Sequence, residues 1–73
     1  SNKVNEEHTQ LMETIKAELT RIGRSVTITE LQKESEALAD YSNQKLSAML
    51  KKLVDNGEVT KVVDKKKSYF KVD

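Results

Sequence analysis

A chain of 73 residues, 36% hydrophobic and 34% charged, forms one small domain at most, with a modest core. It has no apolar run long enough to span a bilayer and no charged segment leading into a hydrophobic stretch as in a signal peptide. With no cysteine it has no disulfide, thiol nucleophile or thiolate zinc site, which fits a reducing, cytoplasmic or nucleoid-associated setting.

The net charge of +1 conceals a division. Residues 1–40 carry five Lys/Arg against eight Asp/Glu, while residues 41–73 carry eight Lys against four Asp/Glu. Because field strength is local, the second half is the one expected to attract polyanions. Residues 1–4 are expected to be a disordered lead, with Ser1-Asn2 resembling a scar of tag removal. Residues 5–73 are expected to be a single domain taken from a longer protein.

In chain order, the first helix is predicted from about Asn5 to Ile22. Leu11, Ile15, Leu19 and Ile22 recur at helical spacing, and Asn5 is the expected cap, followed by Glu6 and Glu7 at the positive end of the dipole. Gly23 is the expected stop. Ser25-Val26-Thr27-Ile28 is β-branched and alternating, either an extended link or a small strand. Thr29 is then expected to cap a second helix through about Leu38, with Leu31, Ala37 and Leu38 inward. A turn follows at Ala39-Asp40-Tyr41, with Tyr41 as a partly buried anchor.

Ser42 is expected to cap a third helix whose buried face is Leu46, Met49, Leu50 and Leu53, with Val54 at the margin. Gln44, Ala48, Lys51 and Asp55 point the opposite way, flanked by Lys45, Ser47 and Lys52. Gly57 is placed at the residue just past the helix. Val59–Val63 and Tyr69–Val72 are predicted strands joined by a five-residue loop, Asp64-Lys65-Lys66-Lys67-Ser68. Tyr69 and Phe70 must face opposite sides, so one of them is expected in the core. The expected class is α+β, three helices plus a C-terminal hairpin in the order α-β-α-α-β-β.

Leu46 to Val62, LSAMLKKLVDNGEVTKV, resembles the end of a recognition helix and the start of a wing in bacterial winged helix-turn-helix regulators of the MarR and ArsR type. The matching features are the pair Leu50 and Leu53, the stop Gly57 and the strand opened by Val59. The resemblance extends over Thr27 to Val72, and ribosomal protein S25 has a similar small core. One departure stands out: about one extra helical turn lies between Leu31 and Leu50, around Lys33 to Asp40. It would lengthen the second helix or loosen its turn.

The resemblance implies a nucleic-acid-binding domain of a transcriptional regulator, with DNA as the first partner and RNA as an alternative. A recognition helix presents its N-terminal half to the major groove. There Gln44 suits adenine, Ser47 donates or accepts, and Ala48 suits a thymine methyl. Asn43, Lys45, Lys51 and Lys52 would meet phosphates. Lys65, Lys66, Lys67 and Ser68 would reach the minor groove or its phosphates. With four to six phosphate contacts, log affinity should fall against log salt with a slope of about −4 to −5. Arginine, the commonest base reader, occurs only as Arg21 and Arg24, outside the third helix. The same fold also serves as a protein–protein module, which predicts an exposed apolar patch near Met12 or Val62. Oligomeric state stays open.

Enzymatic chemistry is not expected. His8 is the lone histidine, without a partner at triad or metal spacing. Glu30 and Glu34 share a helix face but lack the apolar setting that raises a carboxyl pKa. Gly23 and Gly57 make no phosphate-cradling loop, and no cofactor is implied.

Overall fold

The computed structural model describes residues 3–72, with side chains from residue 8 onward. It is an α+β arrangement of four helices and one antiparallel hairpin. The elements are α1 (Lys3–Ile22), α2 (Ile28–Glu34), α3 (Glu36–Ala39), α4 (Asn43–Asp55), β1 (Thr60–Asp64) and β2 (Lys67–Lys71). Ser1 and Asn2 lie outside the described residues. The first helix starts at Lys3, two residues earlier than the expected cap, so Asn5 is a helical residue and not a cap. Among the described residues no helix is long and apolar enough to cross a membrane.

One core joins every layer. Leu11, Ile15 and Leu19 of α1 meet Leu31, Leu38, the α4 face Leu46, Met49, Leu50 and Leu53, and then Val26, Val59 and Phe70, all buried. The stripes on α1 and α4 therefore face each other as their periodicity predicts. Ala37, expected inside, is exposed. It sits on the one-turn helix α3, where only Leu38 points inward.

Two glycines close helices through left-handed backbone. Gly23 has φ +74 and donates its N–H to the Leu19 carbonyl at 3.0 Å. Gly57 has φ +78. Its N–H donates to the Val54 carbonyl at 3.0 Å, and the Glu58 N–H donates to the Leu53 carbonyl at 2.9 Å. That pair of bonds is the Schellman closure of α4. At its other end Ser42 Oγ accepts the Lys45 N–H at 3.1 Å, as the sequence predicts.

The second helix differs from expectation at both ends. Its cap is Thr27, not Thr29: Thr27 Oγ1 accepts the Glu30 N–H at 3.2 Å and Glu30 Oε1 accepts the Thr27 N–H at 3.0 Å, a complete capping box. The helix then breaks at Ser35, which is extended (φ −132, ψ 109). Arg21 of α1 donates from Nη2 to the Glu34 carbonyl at 2.6 Å, engaging an acceptor at the end of α2. Lys33 to Asp40, expected to lengthen α2 or loosen its turn, instead span the end of α2, the break at Ser35 and the separate helix α3. Ser35 is buried at 2% exposure, and its hydroxyl has no hydrogen-bond partner among the described residues. Tyr41, at 37% exposure, is a surface residue and not a partly buried anchor. Its carbonyl accepts from Gln32 Nε2 at 2.5 Å.

In the hairpin, Thr60 faces Lys71, Lys61 faces Phe70, Val62 faces Tyr69, Val63 faces Ser68 and Asp64 faces Lys67. Phe70 is buried and Tyr69 half-buried, so the core takes the phenylalanine. Val26 bridges the far side of β2: its N–H donates to the Phe70 carbonyl at 2.9 Å, and the Phe70 N–H donates to the Val26 carbonyl at 2.8 Å. The expected five-residue loop is a two-residue turn, because pairing continues through Ser68 and Lys67. Opposite charges on Asp64 and Lys67 favour that last pair.

The turn residues are Lys65 (φ 50) and Lys66 (φ 69). Positive φ at both central positions matches the type I′ turn that suits hairpin twist, a conformation favouring Asn-Gly. A left-handed lysine costs roughly 1–2 kcal/mol against a glycine. The double substitution Lys65→Asn/Lys66→Gly is therefore expected to stabilise the domain by about 1 kcal/mol. The corresponding rise in melting temperature is about 4–8 °C, readable by thermal denaturation followed by circular dichroism.

Candidate nucleic-acid interface

The outward face of α4 and the inner edge of the hairpin enclose an open groove. Asn43, Gln44, Ser47, Ala48 and Lys51 line it together with Ile28 from the start of α2. Towards the hairpin it continues as a concavity of 610 Å³ whose walls include Thr29, Glu30, Ser47, Lys61 and Lys67. A third stretch runs between Lys51, Asp55 and Lys61, with Phe70 beneath. Ser47 borders all three stretches, so it sits at the centre of the surface. It reaches that position because Leu46, Met49 and Leu50 hold the opposite face of α4 in the core.

Most of the sequence-predicted residues converge here. Asn43, Gln44, Ser47, Ala48 and Lys51 share one side of α4, and Lys67 and Ser68 lie across from them on β2. Lys65 and Lys66 stand exposed at the turn beyond. Like Lys65 and Lys66, two predicted residues of α4, Lys45 and Lys52, do not join the groove walls. Lys45 is exposed on the other flank of α4, its ammonium 5.6 Å from the centre of the Tyr41 ring, a cation–π arrangement. Lys52 is exposed about two turns further on the same flank. One cation that the sequence reading leaves out belongs to the groove: Lys61, which borders both hairpin-side stretches. The signal for it is strand alternation. Lys61 faces Phe70 across the ladder, so both lie on the side of the sheet turned to the helices.

The cations divide into paired and free. Lys16 bonds Glu58 at 2.6 Å, Arg21 bonds Glu18 at 2.6 Å, and Arg24 bonds Glu34 at 2.7 Å. Lys16–Glu58 ties α1 to the α4–β1 connection and Arg24–Glu34 ties the loop after α1 to α2, while Arg21–Glu18 lies within α1; neither arginine borders the groove. The Lys16 ammonium holds the Glu58 carboxyl below the usual carboxylate range, and Glu58 in turn raises Lys16. By contrast Lys51, Lys61, Lys65, Lys66 and Lys67 form no ion pair within 4.0 Å among the described residues. Unpaired lysines around a groove can exchange their counterions for phosphates. Two acids line the hairpin-side stretches, Asp55 in the third and, in the larger concavity, Glu30. The Glu30 carboxyl is lowered first by the Thr27 N–H and also by the fields of Arg24 and Lys67.

Among the described residues no group of three or more His, Cys, Asp or Glu is placed to hold a metal ion. His8 is half-buried on α1. Met12 is half-buried and packs against the core, so it forms no exposed patch. Val62 and Val63 are exposed at 43% and 65%, and as strand neighbours they point to opposite faces. No protein-family model, curated protein or solved structure matches this chain.

Proposed function

We propose that this domain is a winged-helix module that binds duplex DNA within a transcriptional regulator. In this reading α4 is the recognition helix and the β1–β2 hairpin is the wing. The observation that carries it is the turn at Lys65 and Lys66. Both residues hold a left-handed backbone that Asn or Gly would adopt at lower cost, and strain of this kind concentrates where function requires a particular side chain. Here the chain keeps two exposed cations, without an ion pair among the described residues, at the hairpin turn. They continue the line of unpaired lysines, Lys51, Lys61 and Lys67, that borders the groove.

The chemistry divides along the surface. Gln44, Ser47 and Ala48 suit base edges, while Asn43 and the lysines suit phosphates, which fix register without specifying sequence. With neither Arg21 nor Arg24 bordering the groove, no arginine is available as a base reader. The expected binding is accordingly of low sequence specificity and steeply salt-dependent.

An NMR titration of the labelled domain with a mixed-sequence duplex, at low and moderate salt, tests this reading. The expected result is shifts at Asn43, Gln44, Ser47, Ala48, Lys51, Lys61 and Lys65–Ser68 that weaken as salt rises. Absence of shifts at low salt would overturn it. A second reading, a protein-interaction module, is favoured by the exposure of Val62 and Val63 on β1. Its partner would pair with the open edge of that strand and would shift Val62 and Val63 while leaving α4 unmoved.

A further inference from the structure

The wall of the groove that carries Lys61 and Lys67 also carries Glu30, the one acidic side chain of that concavity. Glu30 is not a free surface acid. Its Oε1 is fixed by the Thr27 N–H at 3.0 Å, so its charge stays at the start of α2, between the reading helix and the hairpin. A phosphate drawn to Lys61 and Lys67 must also approach this carboxylate. The capping box accepts Gln as well as Glu at this position; the charge also favours the start of the helix, but its field reaches into the groove as well.

We infer that Glu30 is a charge filter: a fixed anion that lowers the affinity of the groove for the phosphate backbone whatever the base sequence. The inference rests on the duplex-binding reading above and assigns Glu30 a role within it. A purely cationic groove holds any duplex, and competing non-specific sites then dilute whatever discrimination Gln44, Ser47 and Ala48 provide. One opposing charge beside two lysines reduces that background and leaves contacts to base edges untouched. At separations of several ångströms in a solvated groove, the repulsion corresponds to about three- to ten-fold in affinity.

The substitution Glu30→Gln removes the charge and keeps the cap. Glu36→Gln makes the same change in net charge on α3, away from the groove. Each variant and the wild type are titrated by fluorescence anisotropy against two duplexes of unrelated sequence at low and moderate salt. Glu30→Gln is expected to bind both duplexes about three- to ten-fold more tightly at low salt, with the gain shrinking as salt screens it, while Glu36→Gln matches the wild type. Three results would overturn the inference while leaving duplex binding in place: equal affinity of Glu30→Gln and wild type, an equal gain in Glu36→Gln, or a gain on one duplex with a loss on the other. The last would make Glu30 a base reader. If none of the three proteins binds either duplex at low salt, the duplex reading itself fails and the filter with it.

Discussion

Replacing Lys65 and Lys66 with Glu is expected to lower duplex affinity on the order of 100-fold at low salt and to make the salt slope shallower by about 2. The two numbers have one origin. Each lysine that neutralises a phosphate releases condensed counterion, so each loss removes about 0.9 from the slope of log affinity against log salt. The turn makes this a clean substitution for folding. Both positions are exposed and left-handed, and Glu is no worse suited to that backbone than Lys. Lys67 is a different case. It is a strand residue facing Asp64, and Lys67→Glu would set two carboxylates opposite each other, which destabilises the pair. Reversing all three lysines would therefore confound binding with hairpin stability. Lys67→Gln, made separately, avoids that.

Lys33→Glu, an exposed position on α2 away from the groove, is the control for charge reversal outside the groove, compared per substitution. Equal loss of affinity per substitution in the Lys65→Glu/Lys66→Glu variant and in that control would remove the wing from the interface. The Lys65→Asn/Lys66→Gly variant adds a second axis. It should melt higher than wild type and yet bind more weakly, with a slope again shallower by about 2. Stability and binding moving in opposite directions is the signature of a strained turn kept for its charges. A turn kept for folding alone would show no binding change.

The sequence made α4 legible almost residue by residue. Its signals are local and agree: a serine cap, a four-residue apolar stripe and a glycine two positions past the last helical residue. The α4 side of the groove follows from the same 100° arithmetic. The true cap of α2 is also legible, because Thr27 and Glu30 stand at capping-box spacing. An assignment to Thr29 weighs the residue type and overlooks the pair. The break at Ser35 has no such local sign. Leu31, Ser35 and Leu38 keep helical spacing, no glycine or proline intervenes, and the contact from Arg21 to the Glu34 carbonyl comes from another helix. The hairpin turn is hidden for the opposite reason. Composition argues against a two-residue turn at two lysines, so a longer loop is the natural expectation, and with the wrong turn goes the register that places Lys61 beside the groove. Local propensity thus misleads at Lys65 and Lys66, the place where the interface proposal rests.

The largest effect on folding is expected from Phe70→Ala, at about 3–5 kcal/mol. Phe70 is 6% exposed and is the only buried aromatic side chain among the described residues. It belongs to the strand that holds the hairpin against Val26 by two backbone bonds. Its ring joins the hairpin to the helical core and lies beneath the stretch of groove between Lys51 and Lys61. Total stability for a chain of this size is on the order of 4–11 kcal/mol, so truncation removes a large share of it. The expected fall in melting temperature is about 12 °C or more, followed by circular dichroism. Phe70→Leu, which keeps most of the apolar volume, should recover the greater part. A fall under about 5 °C for Phe70→Ala would mean that the hairpin is anchored by Val26 and Val59 without the ring. Binding should separate this variant from the lysine substitutions. Loss of the ring leaves every cation in place, so the slope against salt is retained by the molecules that remain folded, whereas removal of Lys65 and Lys66 flattens the slope in a fully folded domain.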